Sequence, residues 1–106
     1  MTIERPAGDV YAFVSDPNNL PAWASGLSAA VKVRFVERNP FGVLDHYVRV
    51  DSGPEVYMPM RVFPNGEGAE VLITVFRQPG VSDEKFAEDT HWVRSDLEAL
   101  KQLLEK

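Results

Sequence analysis

The most regular pattern in the sequence is an apolar stripe near the C-terminus. Its members recur at alternating spacings of four and three residues, which places them along one face of an α-helix. Ser82 or Asp83 follows Pro79-Gly80 as a candidate N-cap, and acidic residues in the next turn suit the positive end of the helix dipole. We therefore expect a long helix with one face packed against a sheet, and that face consists of Phe86, Thr90, Val93, Leu97, Leu100 and Leu104.

Two short helices are predicted near the N-terminus. Thr2–Arg5 has the character of the end of a strand, cut short by a proline. Asp9 is a candidate N-cap for the run Val10–Val14, whose apolar side chains share one helical face. A second helical turn, Leu20–Ala24, carries Trp23 and ends shortly before a glycine.

Further along the chain the hydrophobic period changes to two. Alternating apolar and polar positions predict strands over 31–36, 44–50 and 56–62, and a β-branched apolar run predicts a fourth over 71–76. Pro59 lies inside the third strand and suggests a bulge or an edge position. Asn65-Gly66 predicts a tight hairpin turn before the fourth strand. Because the connections are too short for crossovers, the sheet should be antiparallel.

The order of these elements resembles that of the SRPBCC superfamily, the START-related helix-grip group with polyketide cyclase/dehydrase-like members. The N-terminal phrase IERPAGDVYAFVSDPNNLPAW and the C-terminal phrase LEALKQLLE carry the resemblance, and ERNPFGVLDHYV, PMRVFPNGEGAEV and TVFRQPGVSDEKF resemble an uncharacterised bacterial subgroup. The resemblance covers Thr2 to Glu105. It implies an α+β fold in which a curved antiparallel β-sheet wraps around the long C-terminal α-helix, with two short helices after the first strand. Because this scaffold hosts cyclases, lipid carriers, hormone receptors and chaperone cofactors, the resemblance specifies a fold and no activity.

The chain is expected to form a single domain over residues 1–106, a typical domain length. One stretch departs from the family pattern. Between Leu27 and Val31 only Ser28-Ala29-Ala30 stands where family members have a further strand and a turn. Either this member has lost that strand, or a strand or loop around 28–31 is missing from the sequence. The absence of turn residues at this junction favours the second alternative.

Composition narrows the classes of function. The chain has no cysteine, which excludes disulfides, thiolate metal ligands and cysteine nucleophiles. Its net charge of −5 disfavours binding to phosphate backbones, so no nucleic-acid partner is expected. No apolar run reaches the ~18 residues of a membrane span, and the N-terminus lacks the apolar region of a signal peptide, so we expect a soluble cytoplasmic protein. The two histidines and the carboxylates show no ligand spacing, and no metal or cofactor is expected.

The resemblance implies a cavity between the sheet and the C-terminal helix. The apolar pattern on both of its sides predicts that a small hydrophobic or aromatic molecule binds there, without a defined reaction. His46 would be a polar group in this wall, and two methionines would make the wall adaptable. The residues predicted to line the pocket are Trp23, Phe35, His46, Val48, Met58, Met60 and Phe86.

Two other functions remain open at this level. A polyketide cyclase- or dehydratase-like enzyme would use His46 or Tyr57 as acid or base, although no catalytic residue is assigned. Asp45 could not orient His46 in a regular strand, because adjacent side chains point to opposite faces. The chain could also form a homodimer through Trp92 and Leu103, or through an uncovered sheet edge.

Overall fold

The computed structural model describes residues 1–24 and 31–106, and over that part of the chain it has six strands and three α-helices. A 3₁₀ turn, Pro17–Asn19, separates the first two helices. In chain order the elements are β1 (Thr2–Ile3), α1 (Ala7–Val14), α2 (Leu20–Trp23), β2 (Val31–Phe35), β3 (His46–Val50), β4 (Val56–Met58), β5 (Met60–Asn65), β6 (Gly68–Ile73) and α3 (Asp83–Leu104).

The strands form two three-stranded antiparallel sheets, ordered β1-β6-β5 and β2-β3-β4. This arrangement, with its long C-terminal helix, confirms the α+β class. The prediction of a missing strand or loop around 28–31 falls, apart from Val31, outside the described residues. Within the described ranges, no helix has the length and apolar character needed to cross a membrane.

The third predicted strand divides at Pro59. On one side β4 pairs with β3 and sets Met58 opposite His46, whereas on the other side β5 pairs with β6 and sets Met60 opposite Ile73. Proline has no N–H to contribute to a strand ladder, so the pairing changes at this residue. The segment predicted as one strand, with a bulge or an edge position at Pro59, is therefore two strands, each in a different sheet.

The segment before β3 links the two sheets. The Leu44 N–H donates to the Met60 carbonyl at 2.8 Å, and the Val62 N–H donates to the Gly42 carbonyl at 2.9 Å. Gly42 has a φ of 72°, and a Cβ at this position would lie 2.0 Å from the Val62 carbonyl oxygen. Only glycine allows this close approach. As a result β3 begins at His46, two residues later than the pattern predicts.

The β5–β6 hairpin places its turn one residue later than the Asn-Gly signal suggests. Asn65 and Gly68 face each other across the ladder, so the two turn residues are Gly66 and Glu67. Gly66 takes a φ of 63°, while Asn65 and Glu67 keep negative values. A glycine in the first turn position is the pattern of a type II′ hairpin.

The helix boundaries differ little from the predicted ones. α1 starts at Ala7, with Pro6 as its N-cap, so Asp9 lies in the first turn and pairs with Arg5 at 2.9 Å. α3 is capped by Ser82, whose Oγ accepts a hydrogen bond from the Lys85 N–H at 3.1 Å. Of the two predicted N-caps, Ser82 and Asp83, the first is confirmed.

The hydrophobic core lies on one side of the molecule, which we call the packed half. Here the β1-β6-β5 sheet is covered by α1 and by the C-terminal part of α3, and Leu20 and Trp23 of α2 join the same core. Leu100 is the fully buried residue of α3, and Leu97 and Leu104 pack against the same core. The buried apolar side chains are Ile3, Val10, Val14, Leu20, Trp23, Leu44, Met60, Val62, Ala69, Val71 and Leu100.

Candidate functional site

A cavity of about 410 Å³ lies between the β2-β3-β4 sheet and the N-terminal half of α3. We call this sheet and this part of the helix the open half. Small-molecule sites have volumes of roughly 300–1,000 Å³, so the cavity is at the lower end of that range. Trp92 and Val93 of α3 form one wall, and Trp92 is 50% exposed. The cavity is therefore open to solvent on that side.

The floor of the cavity follows from the two-residue period of the strands. Val31 and Val33 of β2 and Val48 of β3 present their side chains to it, and Val33 lies directly opposite Val48. The intervening residues Lys32 and Arg34 are exposed, because successive side chains of a strand point to opposite faces. The alternation in the sequence thus makes one face of the sheet apolar and the other basic.

The structure brings together part of the predicted pocket. Four of the seven predicted residues line the cavity, and they come from α2, β3 and β4. These four are Trp23, His46, Val48 and Met58. Ligand binding by them stays a prediction.

The other three predicted residues do not line the cavity. Met60 is 0% exposed and belongs to the core of the packed half, because the strand changes sheets at Pro59. Phe35 packs its ring against His46 with the centroids 5.1 Å apart. Phe86 is half-buried beneath the guanidinium of Arg77, which lies 5.9 Å from its ring centroid.

Several lining residues were not predicted. Val31, Val33 and Val50 contribute to the floor, and the strand alternation that predicted β2 and β3 already carried this signal. Trp92 was considered as part of a dimer interface. It lines the cavity because it lies one residue before Val93 of the stripe, on the side of α3 that faces the β2-β3-β4 sheet.

His46 is the buried titratable group in the cavity wall, with an exposed fraction of 8%. Its Nδ1 lies 3.0 Å from the carbonyl oxygen of Leu44. Because a carbonyl can only accept, Nδ1 carries the proton of the neutral ring and Nε2 holds a lone pair. Burial lowers the pKa of His46, against smaller opposing effects of the Leu44 carbonyl and the Asp45 charge. The ring is therefore a neutral hydrogen-bond acceptor at neutral pH.

Tyr57 belongs to a different cluster on the outer face of the sheet. It lies opposite Tyr47, whereas His46 lies opposite Met58, so Tyr57 and His46 are on opposite faces. The Tyr57 hydroxyl donates to Asp45 at 2.6 Å, and this hydrogen bond raises the pKa of Tyr57. The two proposed acid–base residues therefore do not share a site.

The same Asp45 carboxylate organises the junction between the sheets. It is 6% exposed, and it accepts a hydrogen bond from the Met60 N–H at 3.0 Å and another from the Arg61 guanidinium. No hydrogen bond joins Asp45 to His46 among the described contacts. The expectation that Asp45 cannot orient His46 agrees with this geometry.

Polar groups near the cavity are few. The indole Nε1 of Trp23 is buried, and no described residue accepts its hydrogen. A buried donor without a partner costs about 1–3 kcal/mol. Lys85 and Asp89 of α3 also line the cavity and form an ion pair with each other at 2.6 Å. The wall is thus mainly apolar, and its polar side chains are His46, Gln78, Lys85, Asp89 and Asp96.

Within residues 1–24 and 31–106, no cluster of three or more histidine and carboxylate side chains could hold a metal ion. A second depression, of about 350 Å³, lies between α1 and the loop at Asn39–Gly42. It contains none of the predicted pocket residues, so the candidate site is the first cavity.

No protein-family model matches the chain, and no curated protein matches it either.

Proposed function

We propose that this protein binds a small, mainly apolar molecule in the cavity of the open half. The observation that carries the proposal is the cavity itself, which is floored by half-buried apolar side chains in a domain whose other half is tightly packed. Covering such side chains removes apolar surface from water, at roughly 25 cal/mol per Å². A ligand of matching size would gain this free energy without a rearrangement of the core.

The proposal includes a helix-grip architecture of the SRPBCC kind. Its support is a continuous path of antiparallel contacts: β2 bonds to β3, residues 42–44 bond to β5, and β5 bonds to β6, which pairs with β1. The chain crosses from one sheet to the other at Pro59 without a break in this path. In this proposed architecture the two sheets form one curved surface, and α3 lies over its inner face.

The first experiment measures thermal stability against a panel of aromatic and aliphatic ligands. A ligand that binds only the folded state stabilises it by about 2.7 kcal/mol at a concentration of 100 Kd. We expect at least one apolar aromatic compound to raise the melting temperature. The absence of any shift across the panel at saturating concentrations would contradict the proposal.

A pair of variants localises the site. Val48→Phe adds a ring inside the cavity, and we expect it to abolish the ligand-induced shift because the volume is already small. Arg49→Phe introduces the same side chain at the next residue, which is exposed on the outer face. The control should leave the shift unchanged. If both variants behave alike, the ligand binds elsewhere.

No specific observation favours the enzyme alternative. The hydrogen bond of His46 goes to a main-chain carbonyl rather than to a carboxylate, and Tyr57 is on the opposite face.

The dimer alternative has a direct test. Light scattering on the wild type and on Trp92→Asp separates the possibilities, since a monomer in both cases would exclude an interface at Trp92.

A further inference from the structure

We propose that the ligand of this cavity carries a hydroxyl group that donates a hydrogen bond to Nε2 of His46. This inference rests on the proposed function and narrows its ligand class to neutral alcohols or phenols with an apolar body. It combines three features of the open half: the bonding of the imidazole, its access to the cavity, and the apolar character of its neighbours.

The bonding of the ring leaves one nitrogen for a ligand. Nδ1 is committed to the Leu44 carbonyl at 3.0 Å, a contact within the residues that lead into β3. Phe35 packs beside the ring and holds its orientation, with 5.1 Å between centroids. No described residue donates to Nε2. The ring is therefore fixed as an acceptor before any ligand arrives.

Nε2 also keeps access to the cavity. His46 is one of the lining residues. Among the described residues, Trp23 Nε1 is the single buried side-chain nitrogen or oxygen that lacks a partner. Nε2 of His46 has no donor there and is not in this class, so it is not fully buried. A group placed in the cavity can reach it.

The apolar surroundings of His46 determine which polar group a ligand can place against Nε2. Val48 and Met58 neighbour it on the sheet, and Ile73 contributes another apolar side chain to the lining. An ionised carboxylate would place an acceptor against an acceptor and would lose its hydration in this apolar wall. A hydroxyl supplies the proton that Nε2 needs and has a much smaller desolvation cost. The cavity should thus prefer a phenol over a carboxylate of the same shape.

Three probes with the same naphthalene body test the inference: 2-naphthol, the nearly isosteric 2-methylnaphthalene and the ionised 2-naphthoate. Their dissociation constants are measured by calorimetry at pH 7.5, where 2-naphthol is neutral and 2-naphthoate is ionised. We expect 2-naphthol to bind about threefold to tenfold more tightly than 2-methylnaphthalene, the effect of one neutral hydrogen bond. 2-Naphthoate should bind at least about tenfold more weakly than 2-naphthol, because its charge is desolvated.

Two leucine variants assign the preference to His46. His46→Leu should abolish or reverse the preference for 2-naphthol over 2-methylnaphthalene while 2-methylnaphthalene still binds, because the hydroxyl loses its acceptor and is buried unpaired. His91→Leu makes the same change at the other histidine, which is exposed on α3, and should keep the wild-type ratio. A preference that survives in His46→Leu would overturn the inference.

A measurement on the wild type keeps the test independent of variant folding. The ¹⁵N resonance of Nε2 should move upfield on saturation with 2-naphthol and stay nearly unchanged with 2-methylnaphthalene. Equal affinities for these two probes, or an unmoved Nε2 resonance, would overturn the hydroxyl inference and leave the proposed function standing. If neither these three probes nor any compound of the thermal-stability panel binds, the proposed function fails and the inference fails with it.

Discussion

Two methionines on either side of Pro59 show how differently the two halves of the molecule are built. Met60 is fully buried in the core, whereas Met58, two residues earlier, is half-buried and lines the cavity. The local sequence around them is the same alternating strand pattern. The difference lies in coverage, since α1 and the C-terminal part of α3 close one sheet, whereas a cavity remains between the other sheet, α2 and the N-terminal half of α3. The cavity wall and the packed core are therefore built by two successive strands, β4 and β5, on either side of Pro59.

The largest expected effect compares these two methionines directly. Met60→Ala should lower the free energy of unfolding by about 2–5 kcal/mol, because it removes packed atoms and leaves a cavity in the core. Met58→Ala should cost less than about 1 kcal/mol, because its side chain already borders open volume. Urea denaturation of both variants measures the difference. Equal losses would mean that the two halves are packed alike.

The same contrast can be tested along α3. Leu100→Ala removes the fully buried residue of the helix and should cost about 2–4 kcal/mol. Val93→Ala, two turns earlier beside the cavity, should cost less than about 1 kcal/mol. Hydrogen exchange should follow the same order, with slower exchange in the C-terminal half of the helix. A uniform exchange rate along α3 would contradict the division.

His46 gives the open half a dependence on pH. Burial lowers its folded-state pKa below the ordinary 6.5, so the unfolded chain binds the proton more readily. The stability that the neutral ring contributes is present above pH ~6.5 and decreases as the pH falls through the folded-state pKa. We expect His46→Leu to lose less stability than the wild type between pH 7.5 and 5.5 in denaturant titrations. His91→Leu is the control, and it should follow the wild type.

The smallest effect concerns the ion pair at the edge of the cavity. Lys85 and Asp89 are separated by one helical turn and are largely exposed, at 57% and 38%. Such pairs stabilise a helix by about 0.3–0.5 kcal/mol and are screened by salt. A double-mutant cycle with alanine at both positions should give a coupling in this range at low salt. A coupling above about 1 kcal/mol would indicate that the two side chains are held more rigidly than exposed side chains at the edge of an open cavity.

Much of the local structure followed from the sequence because its determinants are local. The α3 stripe and its Ser82 cap depend on residues within one or two turns of each other. Pro59 marked an interruption of the strand, and Gly66 marked the hairpin, since both residues restrict or extend the backbone angles directly. The alternation of β2 and β3 fixed which side chains share a face.

The residues of the candidate site were predicted from the sequence less completely than the helices and strands. His46, Val48, Met58 and Trp23 were predicted, but Met60 was placed in the pocket because the strand pattern alone does not reveal a change of sheet. That change depends on the link between residues 42–44 and β5, and on Asp45, whose side chain takes the Met60 N–H. These partners are 15 to 20 residues apart in sequence, beyond the reach of any periodicity.

By itself the sequence determined which segments form helices and strands, which side chains face inward, and that the chain lacks the thiol chemistry of cysteine. Only the tertiary structure decided that Pro59 separates two sheets, that Tyr57 and His46 face opposite ways, and that Trp92 borders a cavity. The physical reason is that backbone propensity and amphipathic period act over a few residues. Coverage of a sheet by helices is instead settled by contacts between residues far apart in the chain.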